Sequence, residues 1–184
     1  MEIKLIEVAG ALSAYSAVHL PFGKEMSDNR DNDNHLIARL IKAGPEHAKV
    51  TRGIIYWLEI KAPIYWWREM ETYRAGRERL SCESTMHIDC KGLRGQELQK
   101  AKAEIPMGQE QRAIDLYSAQ CLRNIYNQRK NHSHQIPEKA FLHGRQISGK
   151  PDKNIHSCKE KGRTHDTKHA LLLIFHHDHS SLSF

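Results

Sequence analysis

Apolar and charged residues alternate from the start of the chain. Ile3, Leu5 and Ile6 or Val8 are set against Glu2, Lys4 and Glu7, and this period of two predicts a strand with one solvated face. Gly10 ends it, the Ala-rich run from Ala11 to His19 fits a short helix, and Leu20-Pro21-Phe22-Gly23 breaks that helix. The stretch from Lys24 to Asn34, rich in Asn and Asp, reads as a surface loop or a lid over a site. Asp33 or Asn34 then caps a helix through Lys42 whose Leu36, Ile37, Leu40 and Ile41 share a face, with Gly44 where a left-handed residue is favoured. Pro45 opens a further helical turn reaching Arg52. The β-branched and aromatic run Ile54 to Ile60 predicts a central strand.

Further on, Pro63 is placed as the first residue of a helix carrying Ile64, Trp67, Met70 and Glu71 along one side and ended by Gly76. A polar turn from Arg77 to Thr85 follows. Gln96 to Glu104 fits a short amphipathic helix closed by Ile105-Pro106. The strongest helical pattern spans Glu110 to Lys130, where Ile114, Tyr117, Cys121, Leu122, Ile125 and Tyr126 recur at three- and four-residue steps. From His132 onward periodicity disappears and nine of the 13 histidines gather. The expectation is one domain over residues 1–131 followed by a His/Lys/Ser-rich tail, 132–184, that is disordered or divergent. Within the tail only Ala170 to Phe175 has a strand-like pattern. The adjoining His176-His177-Asp178-His179 has no readable fold to gather it into a metal site, so no metal is expected.

Composition changes this picture little. With 39% hydrophobic and 27% charged residues among 184, the chain can bury a core without staples. Lys plus Arg number 28 against 22 acids, and the resulting +6 fits either a phosphate-bearing partner or a plain basic surface. Cys82, Cys90, Cys121 and Cys158 form no C-x-x-C pair, so neither a disulfide framework nor a zinc finger is indicated. No apolar run reaches membrane-spanning length and no signal-like segment opens the chain, which gives the expectation of a soluble, cytoplasmic protein with no membrane partner.

Chemistry concentrates in Ile60 to His87, which passes from the aromatics Tyr65-Trp66-Trp67 to a dense charge run between Arg68 and Arg79. Three consecutive aromatics at a helix entry are more often core than a base-stacking platform. The charge run is explained equally by a solvated helix face with Glu71 near Arg68 and Glu78 near Arg74.

The same stretch resembles the signature region of the flavin-dependent thymidylate synthases, in which a K-A-P-I-like helix leads into R-Q-x-x-R-H-R-x-x-S-x-x-x-x-S-x-R. Laid on from Lys61-Ala62-Pro63-Ile64, Arg68 keeps the leading Arg, and Glu69 takes the Gln position. Thr72-Tyr73-Arg74 falls on Arg-His-Arg, Arg77 and Cys82 on the two Ser positions, and Ser84 on the final Arg. A second block agrees: Ile105-Pro106 resembles the family's Leu-Pro, and Leu122, Asn124, Asn127 and Arg129 align with its N-x-R-x-L-x-N-F-x-N-L-R segment. Gly44-Pro45-Glu46-His47 is similar to the family's S-P-x-E-H turn.

The resemblance implies an α+β fold with an antiparallel sheet flanked by helices, and a site completed across a homotetramer. It implies FAD as cofactor, a folate as one-carbon co-substrate and a uridine nucleotide, dUMP, as the methylated partner, in a degenerate phage- or prophage-type variant. By position, Thr72, Tyr73, Arg74 and Asn124 would contact flavin, and His47 would sit near the folate. Glu69, Ser81, Cys82 and Ser84 would line the nucleotide pocket. Arg129 would hold the pyrimidine and, with Arg74, serve catalysis. Only Arg74 survives of the Arg-His-Arg cluster, and Arg77 and Arg79 are the nearby candidates to replace lost phosphate contacts. The reading from another class is a non-catalytic basic module in which Arg68, Arg74, Arg77, Arg79 and Arg129 hold nucleotide or nucleic acid.

Overall fold

The structure is a computed structural model and describes residues 1–26 and 28–129. Four strands, β1 (Glu2–Ala9), β2 (Ile55–Pro63), β3 (Arg77–Cys82) and β4 (Glu110–Ser118), form one antiparallel sheet in the order β1-β2-β4-β3. Along β2 burial alternates, with Tyr56, Leu58, Ile60 and Ala62 turned to the core. The register sets Ile3 and Leu5 of β1 and Ala113, Asp115 and Tyr117 of β4 on that same face. Helices α1 (Ala11–His19), α2 (Arg30–Ala43), α3 (Ile64–Met70) and α6 (Ala119–Arg129) pack their buried residues into the same cluster. The α+β fold with an antiparallel sheet flanked by helices is therefore as expected. Each large apolar side chain sealed there, such as Ile37, Ile60 or Met70, contributes roughly 1.5–3 kcal/mol.

Two glycines make close crossings possible. Gly10 turns the chain from β1 into α1 at φ +86°, and a Cβ there would lie 1.9 Å from the Gly53 carbonyl oxygen. Gly76, at φ +82°, passes 2.4 Å from Ser118 Oγ by the same measure, and its carbonyl accepts the Ser118 N–H at 2.7 Å. Ser118 Oγ in turn accepts from the Cys121 N–H at 3.1 Å, satisfying one free donor at the start of α6.

Several expectations are corrected. The loop assigned to Lys24 to Asn34 ends early, because α2 begins at Arg30 and its cap is Asn29, whose side chain accepts from the Asp31 N–H at 3.0 Å. Asp33 is not a cap. It is fully buried on the face shared with Ile37 and Ile41, where His19 Nε2 meets its Oδ1 at 2.6 Å and Arg30 lies 3.6 Å from its Oδ2. Pro63 ends β2 and caps α3 rather than opening it, and α3 stops at Met70, well before Gly76. The buried side of α3 is Trp66, Trp67 and Met70, with Glu71 exposed.

The polar turn from Arg77 to Thr85 is largely the strand β3. The largest correction falls on Glu110 to Lys130, which is strand β4 followed by helix α6 and not one helix. Strand pairing on both sides, to β2 and to β3, overrides the helical spacing of its apolar residues. Elsewhere, Pro45 to Arg52 is a turn followed by a 3-10 segment, Ala48–Gly53, while α4 (Thr85–Ile88) and α5 (Gly95–Ala103) fill the excursion between β3 and β4. The tail from His132, with its strand-like and histidine-rich segments, lies outside the described residues.

Candidate functional site

The helix α3 follows β2 without a linker, so its position is fixed by the central sheet. Trp66 and Trp67 meet edge to face, centroids 4.8 Å apart, and Trp67 Nε1 donates to the Gln111 carbonyl of β4 at 2.9 Å. Both indoles are core; only Tyr65 of the three aromatics is exposed. Beyond Met70 the chain closes a tight turn in which Thr72 Oγ1 donates to the Glu69 carbonyl at 2.8 Å and the Tyr73 N–H to the Met70 carbonyl at 3.1 Å. This turn carries the candidate residues 69 to 74.

Across from it stands the last residue of α6. Arg129 Nε donates to Tyr73 Oη at 2.5 Å, and its Nη1 to Glu69 Oε2 at 3.0 Å. The guanidinium carbon lies 5.2 Å from the centre of the Tyr73 ring. The Arg129 side chain is only 12% exposed. Charge-assisted bonds of this kind fix a guanidinium plane, and Arg129 Nη2 has no partner among the described residues. Glu69, Tyr73 and Arg129 are thus brought together from stretches 56 to 60 residues apart.

Next to this turn lies a cluster centred on Asp115, a residue with no site reading from sequence. Asp115, in the middle of β4, is fully buried. Its Oδ2 receives Arg77 Nε at 2.7 Å and Nη2 at 2.6 Å, its Oδ1 receives Arg79 Nε at 3.0 Å, and the Tyr117 hydroxyl donates to Oδ2 at 3.2 Å. Arg77 Nη1 also donates to the Met70 carbonyl at 2.8 Å, which fastens the end of α3 to β3. Arg79 stacks over Trp67 at 4.3 Å, and both arginines lie within 3.6 Å of Glu71 Oε1. Burial works against the Arg77 charge, but the fields of Tyr117, Asp115 and Glu71 and the hydrogen bond to Asp115 outweigh it and hold its pKa above the ordinary guanidinium value. Burial likewise pushes the Tyr117 hydroxyl upward and the Cys121 thiol to about 11, with Arg77 opposing both.

Arg77 and Arg79 are therefore occupied by carboxylates, with Arg77 only 4% exposed, and neither is offered as a substitute phosphate ligand or a nucleic-acid contact. Arg74 is exposed, and its Nε donates to the Glu71 carbonyl at 3.2 Å. Asn124 is exposed on α6, and His47 is exposed at the head of the Ala48–Gly53 segment. Ser81 and Cys82 lie exposed at the far end of β3, about 13–17 Å along the strand from Arg77. Ser84 precedes α4, its carbonyl accepting from the His87 and Ile88 N–H groups at 3.0 Å each. No described bond joins these three residues, or His47, to the Arg129 group.

Taken together, the fold is an antiparallel sheet flanked by helices, and an arginine-centred cluster stands where Arg129 of α6 meets the turn after α3. No protein-family model and no curated protein sequence matches the chain. Among solved structures it is similar to the flavin-dependent thymidylate synthase ThyX from Helicobacter pylori complexed with FAD and dUMP. That match has a TM-score of 0.65 and 15% identity, covering 77% of this chain and 92% of that one. A second structure of the Helicobacter pylori ThyX with FAD and dUMP gives 0.60 and 15%, covering 72% and 85%. The UMP/dUMP methylase PolB from Streptomyces cacaoi bound with 5-Br dUMP gives 0.53 and 12%, covering 67% and 75%. At such identities the likeness is one of fold.

Proposed function

We propose that this chain is a divergent relative of the flavin-dependent thymidylate synthases that binds a uridine nucleotide and FAD and methylates dUMP with a folate one-carbon donor. The observation that supports the reading is the contact of Arg129 with Glu69 and Tyr73. Two separate blocks of family-like sequence lie side by side in a fold shared with proteins solved with FAD and dUMP.

The donor set fits an anionic cofactor in kind. Arg74 and Asn124 are exposed, and Arg74 spends one guanidinium nitrogen on a carbonyl, leaving hydrogen-bond donors of the type a flavin pyrophosphate requires. Arg74, Asn124, Thr72 and Tyr73 would hold FAD in this reading, His47 would stand near the folate, and Glu69, Ser81, Cys82 and Ser84 would serve the nucleotide. Bound flavin supplies the hydride. Arg129 supplies position and charge: clamped by Glu69 and Tyr73, it offers Nη2 to a uracil carbonyl oxygen and stabilises the electron-rich form of the ring. The clamp adds no conformational search to that step, because two of the three guanidinium nitrogens are already bonded.

The test is the visible absorbance of the purified protein with and without added FAD, followed by dUMP titration of the reduced flavin. The expected result is bound flavin whose oxidation depends on dUMP. Arg129→Met is expected to lower dUMP affinity by about 30-fold or more while flavin remains bound. A protein that takes up no FAD overturns the proposal.

A further inference from the structure

Acids and bases are not mixed evenly over the surface. Residues 35–53, running from the second half of α2 through the Ala48–Gly53 segment, hold Arg39, Lys42, Lys49 and Arg52 against one acid, Glu46. Helix α6 adds Arg123 and contains no acid. These elements form one surface. Arg123 Nη2 donates to the Ile41 carbonyl near the end of α2 at 3.4 Å, and Arg52 Nε donates to Gln120 Oε1 of α6 at 2.6 Å. The Ala119 N–H closes the junction on the Ile54 carbonyl at 2.8 Å. Five cations against one acid leave an excess of four here, where the whole chain carries +6.

Burial on each element decides where these side chains point. In α2, Asp33, Ile37 and Ile41 face the core, so Arg39 and Lys42, three residues apart, share the exposed side about 5–6 Å from one another. In the 3-10 segment Ala48 and Thr51 are buried, and exposed Lys49 and Arg52 repeat at the step that stacks side chains, about 6 Å apart. Arg77, Arg79 and Arg129 of the signature-like blocks each meet a carboxylate; none of these five cations does so among the described residues. The dipole of α2 accounts for Lys42 and Arg123 at its C-terminal end. It gives no reason for Lys49 or Arg52, and like charges set side by side repel until a counter-charge arrives.

We propose that this surface binds the phosphodiester backbone of a nucleic acid without regard to base sequence. A polymer with regularly spaced phosphates answers several unpaired cations at once and gives up its condensed counter-ions to them. None of the large apolar side chains exposed in the described residues lies on α2, the Ala48–Gly53 segment or α6. The surface therefore lacks both the apolar centre of a protein interface and the side chains that enter a bilayer. Further along α6, exposed Asn127 and Gln128 are amides of the kind that accompany phosphate contacts. The residues of this surface are separate from Arg74 and Arg129, so the inference stands apart from the proposed activity.

Fluorescence anisotropy of a labelled DNA duplex of about 20 base pairs, titrated with the full chain over a range of salt, tests it. Five phosphate contacts give an expected slope of log K against log salt of about −4.5, so that binding is about 500-fold weaker at about 200 mM than at about 50 mM. The combined variant Arg39→Gln, Lys42→Gln and Lys49→Gln removes three side chains that make no bond among the described residues, and its circular dichroism and unfolding midpoint are expected to stay native. Its slope is expected to fall to about −1.8 and its loss between the two salt concentrations to about 12-fold. The charge-matched control, Lys91→Gln with Lys100→Gln and Lys102→Gln on the exposed excursion between β3 and β4, is expected to keep the native slope. A native chain that leaves the duplex unbound at about 50 mM salt, a combined variant that binds as the native does, or a control that loses as much overturns the proposal. So does binding to vesicles of ~30% phosphatidylserine that the combined substitution abolishes while binding to the duplex survives it.

Discussion

Asp115→Asn is the substitution that most directly probes what holds this domain together. It preserves the shape of a fully buried side chain and deletes its charge, leaving Arg77, 4% exposed, facing a neutral amide with only the distant Glu71 oxygen at 3.5 Å as counter-ion. Removing one partner of a buried pair strands the other, at a cost of about 3–5 kcal/mol. The total stability of such a domain is about 5–15 kcal/mol, so about a fifth or more is lost. With a urea dependence of about 1.5–2 kcal/mol per molar, the unfolding midpoint falls by about 1.5–3 M. Arg79→Met is expected to cost far less, about 1 kcal/mol, because that side chain is 27% exposed and water already screens it. Removing both charges, as in Asp115→Leu with Arg77→Met, is expected to recover much of the loss, since neither ion is then left unpaired. Equilibrium urea unfolding of the native protein, Asp115→Leu, Arg77→Met and the double variant forms a double-mutant cycle, and its coupling is expected to exceed about 1.5 kcal/mol. A midpoint shift below about 0.5 M for Asp115→Asn, or additive effects in the cycle, refutes the buried-pair account.

Three further outcomes follow from the same geometry. Gly10→Ala is expected to cost about 2 kcal/mol or more in thermal or urea unfolding, because a left-handed residue gains a Cβ in collision with the Gly53 carbonyl; Gly92→Ala, at φ +85° in open space, is expected to cost about 1 kcal/mol and so isolates the collision. In native-state labelling at pH 8, exposed Cys82 is expected to react well before buried Cys90 and before Cys121, whose pKa of about 11 leaves little thiolate; mass mapping of the adducts reads the order. The hydrogen bond to Lys61 lowers the Glu110 pKa, so this pair contributes stability above the ordinary carboxylate pKa and loses it as pH falls through the depressed folded value; Lys61→Met is expected to return the Glu110 pKa toward its ordinary value in an NMR titration.

Much of the first half of the fold was legible because its pattern is local. The alternation in Glu2 to Val8, the stop at Gly10 and the Ala-rich helix to His19 need no distant partner to make sense, and the observed elements match them closely. Gln96 to Glu104 was recognisable for the same reason. The convergence of Glu69, Tyr73 and Arg129 was foreshadowed by two blocks of family-like spacing, although each alone is equally a solvated charged surface. Two of the misread stretches, Lys24 to Asn34 and Glu110 to Lys130, share a cause. Both contain an aspartate that periodicity counts as polar and the structure buries completely, Asp33 in α2 and Asp115 in β4. Asp33 made the first half of α2 resemble a loop. Asp115 interrupted the period-two series Ala113, Tyr117 and left the three- and four-residue spacing of Ile114, Tyr117 and Cys121 as the stronger pattern.

Those carboxylates are acceptable in the interior only because hydrogen-bonding or charged side chains reach them from elsewhere: His19 and Arg30 for Asp33, and Arg77 and Arg79 for Asp115. The same accounting bears on function. The charge run Arg68 to Arg79 reads in sequence as a reservoir of phosphate ligands, yet its two members on β3, Arg77 and Arg79, hold β3, β4 and α3 together. An anion that recruited Arg79 would compete with Asp115 and Glu71, and one that recruited Arg77 would also break its bond to the Met70 carbonyl and loosen the turn bearing Glu69 and Tyr73. In the proposed reading, affinity for a nucleotide would be built from Arg74, Arg129 and the neutral donors around them. The arginines nearest the signature motif in sequence contribute to it by keeping that turn in place.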